Sequence, residues 1–482
     1  MRINPILRVV GFLVFLTGVA ILSAIPFSAY YHDPDLNALL TSALISIAIG
    51  GATMFFLRKT GRLDLGPKEG ISIVALSWFV VPLFGSLPFL LSGAIPRIVD
   101  AYFESVSGFT TTGGSILTNV EIISHGLLYW RALSHWLGGM GIIVLSLAVL
   151  PMLGIGGMQL FRAEVAGPTK DKLTPRVAET ARLLWGLYVI LTVVHTILLM
   201  VGGMSFFDSL CHAFATISTG GFSTKNASVA AFDSPYIDGV VTLFMFIGGT
   251  NFSLHFLALQ GKFRQYKDQE FVFFTASAIV AILVVALAIV NREYGGDYLD
   301  ALRFSAFNIV SVMTCTGFAT ADFALWAPLA QGVLFFLMFP GATSGSTGGG
   351  MKNVRVLLMV KAGTNLFKRL LHPNAVTPMT LNGKLVGIET MMAVAGFAMV
   401  YFVTFGTGTI ILAAAGSDIL TSMSAVAANM ANVGPGLAAV GPMANYSHLP
   451  DVSKWTLDVC MILGRLEIFT VIVLFTKAFW RS

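Results

Sequence analysis

Apolar runs long enough to cross a bilayer recur along the whole chain, and no other property restricts its fold so severely. A hydrocarbon core of about 30 Å takes about 20 consecutive apolar residues in a helix. Such runs fall near residues 8–27, 37–57, 71–92, 126–154, 183–204, 237–260, 270–291, 326–360, 385–412 and 449–479. About ten spans are therefore expected. Charged residues make up 11% of the sequence and hydrophobic ones 56%, against about 25% charged in an average soluble domain. The chain reads as an all-α polytopic membrane protein. Its first run, with Arg2 and Arg8 before it, has the flanks of a signal peptide and is read as an uncleaved helix.

Lysine and arginine collect in cytoplasmic loops of membrane proteins. With the amino terminus inside, the clusters Arg58–Lys68, Arg162–Arg182, Lys262–Lys267 and Lys352–Lys384 all fall on the cytoplasmic side. With both termini they hold most of the 29 basic residues. The basic balance thus reports topology and excludes nucleic acid as the partner it would otherwise imply. Cys211, Cys315 and Cys460 are too scattered for a disulfide framework or a zinc site and are read as packing residues.

Four segments between the spans resemble one another: Asp100–Ser115, Asp208–Ser223, Asp300–Thr320 and Asp418–Gly436. Each opens on an aspartate suited to capping a helix and closes on small residues followed by glycine. The endings are Thr110-Thr111-Thr112-Gly113, Ile217-Ser218-Thr219-Gly220, Thr314-Cys315-Thr316-Gly317 and Ala431-Asn432-Val433-Gly434. A period of roughly 100 residues leaves room in each unit for a span, a half-crossing helix, a re-entrant loop and a second span. Non-helical backbone at membrane depth is tolerated only where it is buried or lines a watery path, so four such loops imply a ring around a pore. Threonine, serine and asparagine offer neutral oxygens, glycine lets backbone carbonyls turn inward, and rings of carbonyls can replace the hydration shell of a cation. The four glycine-ending stretches contain no carboxylate, which favours carbonyl coordination over a ring of charges.

The stretch Gly341–Lys352, G-A-T-S-G-S-T-G-G-G-M-K, invites comparison with a phosphate-binding loop. Met351 stands where that motif needs lysine, and the segment before it reads as a helix and not a strand. Pro340 and the glycines are instead expected to break the unit 3 span beneath its loop. The rival reading is a static kink with close packing.

On these motifs, together with Met461-Ile462-Leu463-Gly464-Arg465-Leu466-Glu467-Ile468-Phe469 in the last span, the sequence resembles the TrkH/KtrB superfamily of potassium transport subunits, and its Trk branch in having an extra helix pair before Phe56. The resemblance covers nearly the whole chain. It implies four fused helix–pore loop–helix units arranged pseudo-fourfold around a pore: residues 67–160, 161–268, 269–372 and 373–482, after a two-helix extension at 1–66. It places filter glycines at Gly113, Gly220, Gly317 and Gly434, with potassium bound at those loops. It makes Gly341–Gly350, with Ser344, Gly345, Gly348 and Gly349, an intramembrane gate, and aims Arg465 at the pore beneath the filter. An intramembrane arginine facing lipid costs about 2.5 to 3.5 kcal/mol on insertion scales, so Arg465 is in any case expected to face inward. A structural ion pair with Glu104 or Glu389 is its alternative role. The resemblance further implies a bacterial inner-membrane location, a homodimer surrounded by lipid, and a cytoplasmic, TrkA-like nucleotide-binding regulatory subunit touching the loops Arg162–Arg182 and Lys352–Lys384. No organic cofactor and no enzymatic activity are expected.

The competing class is a secondary transporter coupled to sodium or protons, which would show two inverted repeats and buried carboxylates at mid-membrane. The sequence has four repeats in one direction. Ser107 with the scattered His125, His135 and His212 gives no protease dyad. Arg131 is expected to snorkel to the interface, and His195 and His255 to be satisfied core groups.

Overall fold

The computed structural model describes residues 3–58, 66–148 and 173–480. Among them, six helices are long and apolar enough to cross a membrane: Ile3–Tyr30, Leu36–Phe56, Lys68–Leu91, Glu179–Val201, Gln269–Ile289 and Ile388–Ala414. His125–Ala148 is a further long helix, ending where the described residues end. The chain is a multi-pass membrane protein. The unit 1–2 boundary near residue 160, and most of the basic loop Arg162–Arg182, lie outside the described residues.

Ile3–Leu22 and Leu36–Phe56 form the extension. They approach closely because glycine lines their contact: a Cβ on Gly50 would meet the backbone of Gly11 and Phe15, and one on Gly18 would meet Ala43 and Ile47. Small residues are how membrane helices gain dispersion contacts when lipid is as apolar as their side chains.

Two expected spans are not continuous. The run 237–260 is two helices, Pro235–Gly248 and Phe252–Leu259, bent by 100°. Apolar composition hid the break, which Asn251 sets by capping the second helix through Ser253 N at 2.9 Å. The last span, Asp451–Arg465, ends where Glu467 (φ 57°) and Ile468 (φ 47°) turn left-handed before Phe469–Ile472. The unit 3 span breaks as expected, into Pro328–Leu337 and Asn353–Leu371. Between units 3 and 4, Thr380–Leu381 pairs antiparallel with Lys384–Leu385 across Asn382-Gly383, both at positive φ as a two-residue hairpin turn requires.

The four half-crossing helices are Ile98–Phe109, Phe206–Ile217, Tyr298–Met313 and Ile419–Met430, with buried carboxyl-terminal halves. The opening aspartates need correction. Only Asp418 is a cap, accepting from Thr421 N at 2.7 Å. Asp100, Asp208 and Asp300 lie in the first turn, after Arg97, Ser205 and Asp297 at the cap position. There a carboxylate still favours the positive end of the helix. The cysteines are free and buried.

Candidate functional site

All four short helices terminate the same way. After the residue that caps each helix (Thr110, Ser218, Thr314, Ala431) the next is left-handed: Thr111 at φ 53°, Thr219 at 54°, Cys315 at 61° and Asn432 at 56°. The residue after that closes a six-to-one bond, Thr112 N to Ser107 O at 2.9 Å, Gly220 N to Ala215 O at 2.7 Å, Thr316 N to Ser311 O at 2.8 Å and Val433 N to Ala428 O at 2.7 Å. This is the Schellman ending. It normally places glycine at the left-handed position, and a β-branched threonine held there costs about 1–3 kcal/mol. Such strain persists only where the surroundings fix it.

This backbone register changes the alignment of the second copy. The glycines at positive φ two residues beyond the strained position are Gly113, Gly221, Gly317 and Gly434. Gly221, and not Gly220, is therefore equivalent to Gly113. Gly220 instead matches Thr112, Thr316 and Val433. An alignment on the first glycine of a Gly-Gly pair slips by one residue.

The four loops enclose one axis. A Cβ built on Gly113 would fall closer than 3.0 Å to the carbonyl oxygen of Gly220, one on Gly221 to that of Thr316, one on Gly317 to that of Val433, and one on Gly434 to that of Thr112. The relation runs from unit 1 through 2, 3 and 4 back to 1, and the cycle closes. Thr111, Thr112, Ser218, Thr219, Cys315, Thr316, Asn432 and Val433 are all 0% exposed. The Asn432 amide joins the first and last units by donating to Thr112 Oγ1 at 2.9 Å.

Polar side chains stay the loops from behind. Seven residues before each strained position stand Glu104, His212, Asn308 and Ala425. Glu104 accepts from Ile116 N at 2.8 Å, His212 Nε2 meets Ser223 Oγ at 2.9 Å, and Asn308 donates to Thr320 Oγ1 at 3.1 Å. In unit 4, where alanine cannot reach, the Tyr446 hydroxyl donates to Gly434 O at 2.6 Å. Arg131 does not snorkel. It is 4% exposed, donates to Glu104 at 2.5 Å and to Ser223 O at 3.0 Å, and lies 3.6 Å over the Phe222 ring. A buried carboxylate supplied the partner that an isolated Y-W-R-A-L could not reveal. His255 is satisfied by Tyr266 and Ile247 O, whereas His195 stacks on Phe244 with both nitrogens unbonded. The expectation for His195 fails, since its ring packs face to face on an apolar phenylalanine and meets no polar partner among the described residues.

The glycine-rich segment lies under the short-helix ends. Thr347 donates to Ile217 O at 3.0 Å, and Cβ atoms on Gly348 and Gly349 would meet Thr314 O and Ala431 O. Gly345 accepts from Phe252 N at 3.1 Å, and Thr343 N reaches Gly249 O at 3.1 Å. Gly341, Gly345 and Gly350 adopt positive φ, and Gly341 and Gly350 approach so closely that neither leaves room for a side chain. Ser344 N and Val354 N both donate to Glu270 Oε1, at 2.7 and 3.0 Å, so one carboxylate from the preceding span holds both ends of the segment.

Arg465 is 2% exposed and donates to Thr347 O at 2.6 Å and Gly138 O at 3.3 Å. Its hydrogen-bond partners are thus carbonyls of the loop and of unit 1. Glu104 belongs to Arg131, and the ion pair in this region is Arg355 with Glu467 at 2.5 Å. Lys352 is buried and donates to Gly348 O. Glu270, Lys352, Arg355, Thr347 and Glu467 were missed by sequence reasoning. Charge was the one signal of the four ionisable ones and it gave no partner, while Thr347 had only its place in the glycine-rich stretch.

The chain resembles known proteins along its whole length. A family model described as "TrkH: Cation transport protein" matches residues 36–482. The Trk system potassium uptake protein TrkH of Halomonas elongata is 41% identical over 488 residues, and that of Escherichia coli K12 40% over 488, with each chain covered completely. The crystal structure of the potassium transporter TrkH from Vibrio parahaemolyticus superposes with a TM-score of 0.91 at 38% identity, covering 100% of both chains. The chain belongs to the TrkH family of cation transport proteins.

Proposed function

We propose that this protein takes up potassium across the bacterial inner membrane, passing ions through rings of backbone carbonyls at Thr111–Gly113, Thr219–Gly221, Cys315–Gly317 and Asn432–Gly434. The closed cycle of glycine-to-carbonyl contacts carries the reading: four loops of uncharged backbone facing one axis offer oxygens to a cation that has shed its water. The carboxyl ends of four short helices add partial negative charge near the same axis. The relatives' names supply the choice of potassium.

The segment Gly341–Gly350 and Arg465 act as the gate. The segment crosses beneath three short-helix ends and the guanidinium fastens it there, a positive charge on the path of a cation. A cytoplasmic nucleotide-binding subunit would release it, contacting the basic surface after Lys352. The chain works as a homodimer with both termini in the cytoplasm. The test is flux in vesicles containing purified full-length protein. Rubidium and potassium entry should follow the potassium gradient alone and exclude sodium. Strict dependence on a second ion gradient would assign the protein to the coupled transporters instead.

A further inference from the structure

We infer that His135 stands in for the side chain missing from Gly220 and so determines the ion selectivity of the second loop. The inference rests on the filter reading above and names a positioning residue for it.

The observation is a substitution in space. At the position whose carbonyl enters the ring, three units carry a side chain, Thr112, Thr316 and Val433, and unit 2 carries Gly220. Gly220 is not among the glycines at positive φ, so its backbone does not demand glycine. Space does. A Cβ on Gly220 would fall closer than 3.0 Å to three atoms of the His135 imidazole. The ring comes from the neighbouring unit's second span, is 0% exposed, and stacks on Phe222 at 4.0 Å between centroids.

Hydrogen bonds fix how that ring is held. The backbone N–H of Phe222 can only donate, and it points at Nε2 at 3.2 Å, so Nε2 is the acceptor. The proton of the neutral ring is then on Nδ1, which donates to Gly108 O at 2.7 Å, near the end of the first short helix. One imidazole thereby links the first helix end to the strand that follows Gly220. It presses on the peptide whose oxygen faces Gly113.

Units 2 and 4 lack this wedge. Gly138, Gly248 and Gly464 each lie against the end of their own short helix, at Phe109 O, Ile217 O and Met430 O. Three residues before these glycines stand His135, Met245 and Met461. Neither methionine side chain bonds a filter strand as the imidazole does, although the Met461 carbonyl accepts from Asn432 Nδ2 at 3.0 Å.

The test compares potassium-over-sodium flux ratios in vesicles containing full-length variants. His135→Met keeps the volume and removes both hydrogen bonds, so the ratio should fall about tenfold. His135→Gln, whose amide can both donate to Gly108 O and accept from Phe222 N–H, should stay near the parent. Gly220→Thr alone should lower the ratio by collision, and His135→Ala combined with Gly220→Thr should recover it, a sign reversal that general destabilisation would not produce. If His135→Met fails to accumulate, the Gly220→Thr pair decides the matter. A parental ratio in His135→Met, or no recovery in the double variant, would overturn the role of His135. Gly221→Ala separates the two readings. If it leaves the ratio intact the filter itself is misplaced, whereas if it abolishes selectivity while His135→Met does not, only the wedge is wrong.

Discussion

Arg465 Nη1 stands 2.6 Å from the carbonyl oxygen of Thr347, a bond that joins the last span to the glycine-rich break of unit 3. Hydrogen bonds to a charged donor are worth about 1.5–3 kcal/mol, enough to bias a two-state segment by a factor of ten or more. Arg465→Ala is therefore expected to raise basal rubidium flux about tenfold without any cytoplasmic partner. Vesicle flux at matched protein density measures it, and a variant that conducts like the parent would remove Arg465 from the gate.

Glu270 fixes the same segment at both ends through Ser344 N and Val354 N. Glu270→Ala should leave two buried donors unpaired, at about 1–3 kcal/mol each, and lower the thermal midpoint in detergent while raising leak. Glu270→Gln keeps an acceptor oxygen and should stay close to the parent in both measurements.

The buried pair Arg131–Glu104 ties loops 1 and 2. Removing one partner of such a pair costs about 3–5 kcal/mol, whereas an apolar replacement of both is often tolerated. Arg131→Met should abolish folded protein on size exclusion, and Arg131→Met with Glu104→Gln should recover part of it.

Gly113, Gly221, Gly317 and Gly434 share positive φ and a carbonyl neighbour. Alanine at any of the four should impair selectivity to a similar degree, since each must push back an adjacent ring oxygen. Competition between sodium and rubidium uptake would read this out. A Gly221→Ala variant that remained selective would show that the filter lies elsewhere.

Much of this arrangement was legible in the sequence, because hydropathy and repetition are strong signals in lipid. Most of the spans, the four loops and the break around Pro340 follow from run length, from proline and glycine, and from the intolerance of hydrocarbon for bare backbone. What failed did so where meaning depends on a distant neighbour. Asn251 caps a helix inside an unbroken apolar run, Arg131 meets a carboxylate 27 residues earlier, and the space a side chain would need at Gly220 is taken by an imidazole from another unit. Glu270 and Glu467 were single charges in the sequence, and only folding paired them with the segment they restrain and with Arg355.

The seam between the first and last loops has a consequence for biogenesis. Asn432 meets Thr112 across 320 residues, so the first loop emerges from the ribosome with one flank open and keeps it open through nearly the whole of synthesis. The earlier spans must enter the bilayer around an unfinished centre, and the final quarter of the polypeptide acts as its keystone.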